Sequence, residues 1–222
     1  MNFDTILEQT LNTFPDAFVT GLNKANNDNY SISESTLCKG MSTNGMFLQY
    51  VREQDKSHNV CLAAVKQNGM SFQYTPSTLS DVALADALSA SDPLPEDNVA
   101  IEALKSNGLA LQFMPDLSDN PSICLVAASS AGDSLQYMNP AMLAGSYGLA
   151  IMQSAVNNSP FSIVHIKKSY IPNDADYYAL CTTVVKRRGE LLQYVDCPTA
   201  DVCNDAVKSN PYAIQFVPTN IC

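Results

Sequence analysis

The chain has 222 residues, of which 46% are hydrophobic and 15% are charged, and its formal net charge at pH 7 is -10. This composition allows one or two ordinary domains, or one elongated repeat array. An acidic chain lacks the basic stripe of proteins that bind DNA or RNA, so we expect no nucleic-acid partner. No stretch approaches the run of about 18 apolar residues that a membrane span requires, so we expect no membrane span.

The first 30 residues predict an N-terminal cap. They begin with MNFDTILEQTLNTF, which has no basic region, no long apolar core and no small-residue cleavage site, so we predict no Sec-type signal peptide. Ile6 and Leu7 followed by Pro15 are a weak copy of a pattern that recurs along the chain. The polar stretch 21–30 then separates the cap from the next segment.

Residues 31–138 contain the clearest repeats, which are marked by a tetrad with Gln in its second place. Four residues before each Gln lies a Gly or, in one case, a Pro. Matches at one fixed offset indicate tandem repeats, and the same tetrad returns in residues 179–222. The tetrads are LQYV (48–51), FQYT (72–75), LQFM (111–114), LQYM (135–138), LQYV (192–195) and IQFV (214–217).

A helix is predicted before each Gly or Pro, as in VCLAAVKQNG (60–69) and VAIEALKSNG (99–108). Apolar residues at i, i+1, i+4 and i+5 form one helical stripe, and small residues within it indicate that another helix packs closely. The Gly fits a helix C′ position that requires a positive φ, and Asn44, Asn68 and Asn107 before it suit a helix end. The six Gln side chains should occupy equivalent positions with hydrogen-bonded amides, because burying an unpaired amide costs about 1–3 kcal/mol.

Two segments depart from the pattern. Residues 82–91 copy the helix but have no tetrad, and residues 139–178 form an irregular, degenerate repeat in which Val164 replaces the Gln. Weak units are normal in repeat arrays, especially where a unit faces water. We therefore predict a single array over residues 1–222.

The tetrad itself allows two structures. As a helix it would open the second arm of a helical hairpin, and as a strand it would place Leu and Tyr on one face with Gln on the other. The short linker between Val195 and the next helix start favours a short second element. We predict an all-α solenoid, with an α/β solenoid of short parallel strands as the alternative.

These repeats resemble a known family. VCLAAVKQNG followed by FQYT, and LQYV followed by a polar linker, are similar to the repeats of domain of unknown function 4116. The resemblance covers about residues 34–217 and departs at 82–91 and 147–166. It implies helical repeats without known catalytic activity. The family occurs in bacteria, some protists and large viruses, and it includes secreted effectors of intracellular bacterial pathogens. A cytoplasmic location, or delivery into a host cytosol by a specialised secretion system, fits this resemblance.

The cysteines predict packing and not chemistry. Cys61, Cys124, Cys181 and Cys203 share one repeat place, where Ala100 also occurs. A place that accepts Cys or Ala requires a small side chain. Since cysteines in separate repeats are too far apart to pair, we expect a reduced protein without disulfides.

No pattern predicts a catalytic residue, a cofactor or a metal. His58 and His165 lie in no motif that sets a base beside a nucleophile, and the glycines are isolated, so they do not form a phosphate-binding loop. We therefore predict that the chain is not an enzyme.

Acidic residues in the linkers form the predicted binding edge, represented by Asp116, Asp119 and Asp201. Residues at one repeat place align along one face of a stacked array, so the partner would be a protein with a basic or polar surface. Arg187 and Arg188 exceed the single Lys that other repeats carry at this helix end, and they are a second candidate surface for a phosphate or an acidic partner.

The leading hypothesis for function is a noncatalytic protein-protein interaction module, and the resemblance implies a bacterial effector that binds host proteins as its biological form. One alternative is an enzyme with its site in residues 139–178, and another is a regulatory or chaperone-like partner protein. A deep pocket lined by His165 and acids would favour the enzyme, whereas a groove across several repeats would favour the binding module.

Overall fold

The computed structural model describes residues 3–89 and 94–219, and within these ranges every regular element is an α-helix or a 3-10 helix. The all-α prediction is therefore confirmed and the α/β alternative is not supported. None of the described helices has the length and apolar character needed to cross a membrane. The α-helices are α1 (Phe3–Thr13), α2 (Pro15–Asn27), α3 (Glu34–Thr43), α4 (His58–Gln67), α5 (Ser77–Ser89), α6 (Val99–Ser106), α7 (Pro121–Ser130), α8 (Pro140–Leu143), α9 (Gly148–Asn158), α10 (Asp174–Arg187) and α11 (Ala200–Ser209). The 3-10 helices are η1 (Gly45–Tyr50), η2 (Glu53–Asp55), η3 (Gly69–Tyr74), η4 (Gly108–Phe113), η5 (Pro115–Leu117), η6 (Gly132–Tyr137), η7 (Pro160–His165), η8 (Lys168–Tyr170), η9 (Gly189–Tyr194) and η10 (Pro211–Phe216).

The chain divides into two compact units, unit 1 (residues 1–117) and unit 2 (residues 118–222). Each contains repeats, and a repeat is one α-helix followed by one six-residue 3-10 helix that carries the tetrad. Unit 1 holds the repeats α3/η1, α4/η3 and α6/η4, and unit 2 holds α7/η6, α9/η7, α10/η9 and α11/η10. In unit 1 the helices α1 and α2 pack on each other and on the first repeat.

One extended residue separates the two helices of each repeat, and it is Asn in four of the seven described repeats. Asn68 shows its role, with φ -149° and ψ 106°. Its backbone N–H donates to the Ala64 carbonyl (2.9 Å), which ends α4, and its Oδ1 accepts from the Met70 N–H (3.0 Å), which begins η3. The backbone N–H of this residue therefore satisfies a carbonyl at one helix end, and its side chain satisfies an N–H at the next helix start. Asn44, Asn107 and Asn210 do the same.

The Gly that recurs before five of the six tetrads has a different cause from the one expected. No described Gly has a positive φ, so the predicted left-handed C′ position is wrong. A methyl group on Gly45 would instead overlap the carbonyl oxygen of Ala64 in the next repeat, and one on Gly69 would overlap that of Ala103. Gly is required because the 3-10 helix of one repeat lies directly on the backbone of the next α-helix. We call this contact a joint.

Within each unit, a polar side chain two residues before the Gly or Pro of the following repeat closes the joint. Gln67 Oε1 accepts from the Gly45 N–H (2.6 Å), and Ser106 Oγ accepts from the Gly69 N–H (3.1 Å). In unit 2, Asn158 Oδ1 accepts from the Gly132 N–H (3.0 Å), and its Nδ2 donates to the carbonyl of Ser129 (2.9 Å). Groups left unpaired at one repeat's helix ends are thus satisfied by its neighbour.

Two α-helices are insertions between repeats. The repeat α6/η4 packs directly on α4 and η3, although α5 lies between them in the chain. The helix predicted at 82–91 therefore belongs to an insertion, and its residues 90 and 91 lie outside the described residues. In unit 2 the short α8 plays the same part, because α9 packs on α7 and η6. The irregular segment 139–178 thus contains a complete repeat, α9/η7.

The tetrad glutamines are equivalent but exposed. All six lie on the surface, which contradicts the idea that they are buried. In five of them Nε2 donates to the backbone carbonyl three residues earlier, at 3.0–3.1 Å, so the predicted hydrogen bonding is confirmed there. These five are Gln49, Gln73, Gln112, Gln136 and Gln193.

The cysteines agree with the expectation of reduced thiols except at Cys197. The four repeat-place cysteines are buried reduced thiols, as predicted. Cys197, however, is disulfide-bonded, so the expectation of a fully reduced chain is wrong. Cys197 lies in a linker with φ 48° and never belonged to the repeat place on which that expectation rested. Cys222 lies outside the described residues.

Candidate functional site

Two adjoining grooves run along the outer side of α1, α3 and α4 in unit 1, where α3 packs between the other two helices. The first has a volume of about 610 Å3 and the second about 470 Å3, and Ser42 lines both. The α1/α3 groove is lined by Glu8, Leu11, Ser35, Cys38, Lys39, Ser42 and Thr43. The α3/α4 groove is lined by Ser42, Asn59, Leu62, Ala63, Lys66 and Gln67.

The charges of these grooves are paired with each other or with nearby groups. Lys39 Nζ lies 2.7 Å from Glu8 Oε2, and this hydrogen bond, with one from Thr36, lowers the pKa of the Glu8 carboxyl. Lys66 Nζ lies 2.6 Å from Asp97 Oδ1, which raises the pKa of the lysine. Hydroxyl, amide and apolar groups therefore dominate what the grooves offer a ligand.

The groove residues were not identified from the sequence. They occupy helix places off the apolar stripe, which sequence analysis reads as solvent-facing. The available signal was their small size: Ser35, Ser42 and Ala63 leave the surface between adjacent helices open. Small exposed side chains also occur on helices that bind nothing, so this signal alone names no site.

The three acidic residues of the predicted binding edge have carboxylates that are exposed to solvent. Asp116 lies in η5 of unit 1, Asp119 precedes α7 in unit 2, and Asp201 lies in the first turn of α11. All three are exposed, and none forms an ion pair with another described residue. An acidic binding edge formed by these residues stays a prediction.

The predicted basic residues have partners within unit 2. Arg187 Nη1 donates to the carbonyls of Val156 (2.7 Å) and Asn157 (3.1 Å) at the end of α9. The Arg188 guanidinium lies 5.3 Å from the Phe161 ring centroid and 3.3 Å from Glu190 Oε1. Arg187 occupies the same repeat place as Gln67 and Ser106, so it joins two repeats as they do.

The two histidines lie in different surroundings, and neither forms a catalytic pair. His165 Nε2 lies 3.9 Å from Asp133 Oδ1, which is a weak surface contact. His58 lines a pocket of about 260 Å3 between α5 and α6, together with Asp86, Glu96 and Asp97. The lining of that pocket includes no Ser, Cys or Thr that would act as a nucleophile.

Metal and thiol chemistry find no support in the described residues. There, no group of three or more His, Cys, Asp and Glu side chains is arranged to hold a metal ion. Burial raises the pKa of the Cys61, Cys124 and Cys181 thiols to about 12, which disfavours the reactive thiolate. Burial also raises the pKa of Cys38, which lines the α1/α3 groove.

The candidate site is therefore a pair of adjoining polar grooves beside α1, α3 and α4, and the described residues that line them form no catalytic pair. Comparisons of the chain with family models, with curated proteins and with solved structures gave no match.

Proposed function

We propose that this chain is a noncatalytic interaction module that binds a polypeptide segment of another protein in the α1/α3/α4 grooves. The observation that carries the proposal is that two open grooves adjoin at Ser42 and together lie beside three helices. Adjoining open grooves suit an elongated ligand, whereas a small-molecule site is usually an enclosed apolar cavity. Repeat stacks commonly bind partners along such surfaces.

The chemistry of the grooves indicates a polar partner. Both groove lysines already have a carboxylate partner. Ser35, Ser42 and Asn59 supply donors and acceptors, and Leu11 and Leu62 supply apolar contacts. The linker acids Asp116, Asp119 and Asp201 would favour partners that also carry basic residues, by speeding association. The resemblance to domain of unknown function 4116 makes a bacterial effector with a host-protein partner the biological setting that we propose.

The test uses a library of random dodecapeptides selected on the full chain. We expect groove-binding peptides whose affinity falls at least about tenfold when Ser42→Arg fills the shared part of the grooves. The matched control is Ser129→Arg in α7. Ser42 and Ser129 are both exposed, lie three residues before the repeat Gly, and bond to their own helix backbone.

The proposal fails if selected peptides bind both variants as tightly as they bind the unaltered chain, or if no peptide is selected. Equal loss with both variants would also contradict it, because the α7 position lies outside the grooves. Circular dichroism of both variants shows that the helices are intact before binding is compared.

A further inference from the structure

The 3-10 helices of unit 1 present an uncharged surface that shares no residue with the grooves. Helices η1, η3 and η4 pack side by side, and each contributes three residues to this surface. Gln112 Nε2 lies 3.8 Å from Met70 Sδ, so the contributions of neighbouring repeats are in contact. We call it the glutamine face. Its residues are Met46, Gln49, Tyr50, Met70, Gln73, Tyr74, Leu109, Gln112 and Phe113.

The glutamine amides of this face are held in one orientation. In each, Nε2 donates to the carbonyl three residues earlier: Gln49 to Met46 (3.1 Å), Gln73 to Met70 (3.0 Å) and Gln112 to Leu109 (3.1 Å). A carbonyl accepts and does not donate, so the amide cannot be reversed. The Oε1 lone pairs of all three glutamines remain for a ligand, and so does one N–H of Gln49 and of Gln73. The second N–H of Gln112 is directed to Met70 Sδ (3.8 Å).

We propose that the glutamine face binds an extended, uncharged polypeptide segment by hydrogen bonds to its main chain. A primary amide with one N–H and one oxygen available matches a peptide unit, which offers one C=O and one N–H. Packed helices lie about 8–10 Å apart, and an extended chain rises about 3.3 Å per residue. Successive glutamines would therefore meet peptide units about three residues apart.

The glutamine face presents a Gln from each of its three repeats, and this repetition fits a ligand that is bound through its main chain. Side chains of a partner vary from place to place, whereas its backbone presents the same groups at each step. The half-buried Tyr74 and Phe113, with the exposed Tyr50, supply apolar surface between the amides. The methionine side chains adapt to different neighbours, which suits a surface that does not select one side chain.

The nine residues of the glutamine face are uncharged, which favours a neutral polypeptide over single-stranded nucleic acid as the ligand. Single-stranded nucleic acid also stacks on aromatic rings, but its binding requires cations along the phosphate backbone. The nine residues include no Lys or Arg, and the chain carries a net charge of -10. A neutral main chain needs no such compensation.

Unit 2 carries the same fold without this surface. Its glutamine row is interrupted by Val164. The places that hold Met46, Met70 and Leu109 in unit 1 include Asp133 and Glu190 in unit 2, and both are charged. Unit 2 is therefore an internal control for the glutamine face.

The experiment measures binding of random dodecapeptides selected on the full chain to the variant Gln49→Met/Gln73→Met/Gln112→Met. Met resembles Gln in size but has no amide. We expect binding of face-directed peptides to weaken at least about tenfold, since several hydrogen bonds are lost together. The matched variant Gln136→Met/Gln193→Met removes the same local bonds in unit 2 and should leave binding unchanged.

Two further measurements separate this inference from the groove, although both rest on the chain being a peptide-binding module. Met70→Arg blocks the face without removing an amide and should also weaken binding, whereas Ser42→Arg should not. N-methylation of the peptide main chain should abolish binding, while single alanine substitutions should have little effect. Peptides that tolerate N-methylation throughout, or that respond only to Ser42→Arg, would overturn the inference; in the second case the groove proposal would stand.

Discussion

Two kinds of joint connect the repeats, and unit 2 contains both. At the η9/α11 joint a methyl group on Gly189 would overlap the Ala206 carbonyl oxygen, so the two backbones touch. At the η7/α10 joint, Pro160 replaces the Gly and Val184 holds the place of the Ala. Next to this joint, α9 and α10 pack less closely than α10 and α11. A cleft of about 200 Å3 lies between α9 and α10 and is lined by Gln153, Val156, Asn157, Ala179, Leu180 and Thr183.

This comparison shows that three repeat places together determine a joint. They are the Gly or Pro before the tetrad, the Ala or Val of the next α-helix, and the side chain two residues before the next Gly or Pro. Pro160 and Val184 are bulkier than the Gly and Ala of a tight joint, and Pro160 has no N–H to give to the neighbouring side chain. The side chain at the third place, two residues before the next Gly, also differs between the two kinds of joint. Where Gln67 and Ser106 accept a hydrogen bond from Gly, Arg187 donates two to the carbonyls at the end of α9. At the tight joints of unit 2 the closing side chain also donates: Asn158 Nδ2 to the Ser129 carbonyl (2.9 Å) and Ser209 Oγ to the Lys186 carbonyl (3.1 Å). The wide joint therefore differs in having no Gly N–H for its closing side chain to accept from.

A Cβ added at a tight joint should have the largest effect. Gly69→Ala places a methyl group on the Ala103 carbonyl oxygen and 2.9 Å from the Asn107 nitrogen, and both are backbone atoms that cannot turn away. We expect the free energy of unfolding to fall by about 3 kcal/mol or more, measured by urea denaturation. Pro160→Ala, at the same repeat place, should change it by less than about 1 kcal/mol. Equal effects of the two substitutions would show that the joints do not differ.

Loss of the donor at the wide joint should have the next largest effect. Arg187→Met keeps an unbranched side chain but removes both hydrogen bonds to α9. Charged hydrogen bonds contribute more than neutral ones, but Arg187 is exposed, so we expect a loss of about 1 kcal/mol in unfolding free energy. Lys208→Met, in an exposed pair 3.9 Å from Asp205, is the control and should have little effect. Hydrogen exchange of the α9 amides should rise only in the first variant.

The residue between the helices of a repeat offers a reciprocal test. Asn68→Ala removes the cap of η3 and should cost about 1 kcal/mol. Ala131 holds the same place before η6 and makes no such bond. Ala131→Asn should therefore stabilise the chain by about 0.5–1 kcal/mol, seen as a higher thermal midpoint. A lower midpoint would mean that the η6 repeat cannot accept the side chain that the others use.

The smallest expected effect concerns a buried hydroxyl. Ser134 Oγ in η6 is buried and has no hydrogen-bond partner among the described residues, whereas Ser71 Oγ at the same place donates to the Asn68 carbonyl (2.8 Å). Ala110 and Ala213 fill this place in other repeats. Ser134→Ala should be neutral or stabilising by a few tenths of a kcal/mol, while Ser71→Ala should destabilise by about 1 kcal/mol. Calorimetry of the two variants decides whether their signs differ.

The helices were predictable because their signals are local. The apolar stripe ending at Val65, the break at Asn68 and Gly69 and the tetrad at 72–75 are all visible in one short segment. The reason for Gly69 was not visible, because it depends on Ala103, which lies beyond the inserted helix α5. Contacts across a joint are long-range in sequence, so the pattern revealed the place of the Gly and suggested the wrong cause.

The candidate sites were less predictable than the helices. Arg187 appeared to exceed the helix-end pattern, and its structural role emerges only when its hydrogen bonds to the carbonyls of Val156 and Asn157 are known. The grooves around Ser42 arise from the spacing between helices, which no residue type encodes. The six glutamines were identified by their repetition, but whether an exposed or a buried row resulted depended on the turn of a 3-10 helix.

The pairing of residues across joints has a consequence for how such an array can lengthen. Each repeat that follows another within a unit carries the Ala or, in α10, the Val that receives its predecessor, and a Gly or Pro at the place that meets a successor. Copying the genetic segment for a repeat such as α11/η10, with Ala206 and Pro211, would create a mismatched boundary beside another Ala. Copying α9/η7 together with α10/η9 keeps Pro160 beside Val184 and ends in Gly189, which again accepts an Ala. A duplication therefore keeps matched joints only when it copies certain sets of repeats. The wide joint is copied intact only when α9/η7 and α10/η9 are duplicated together.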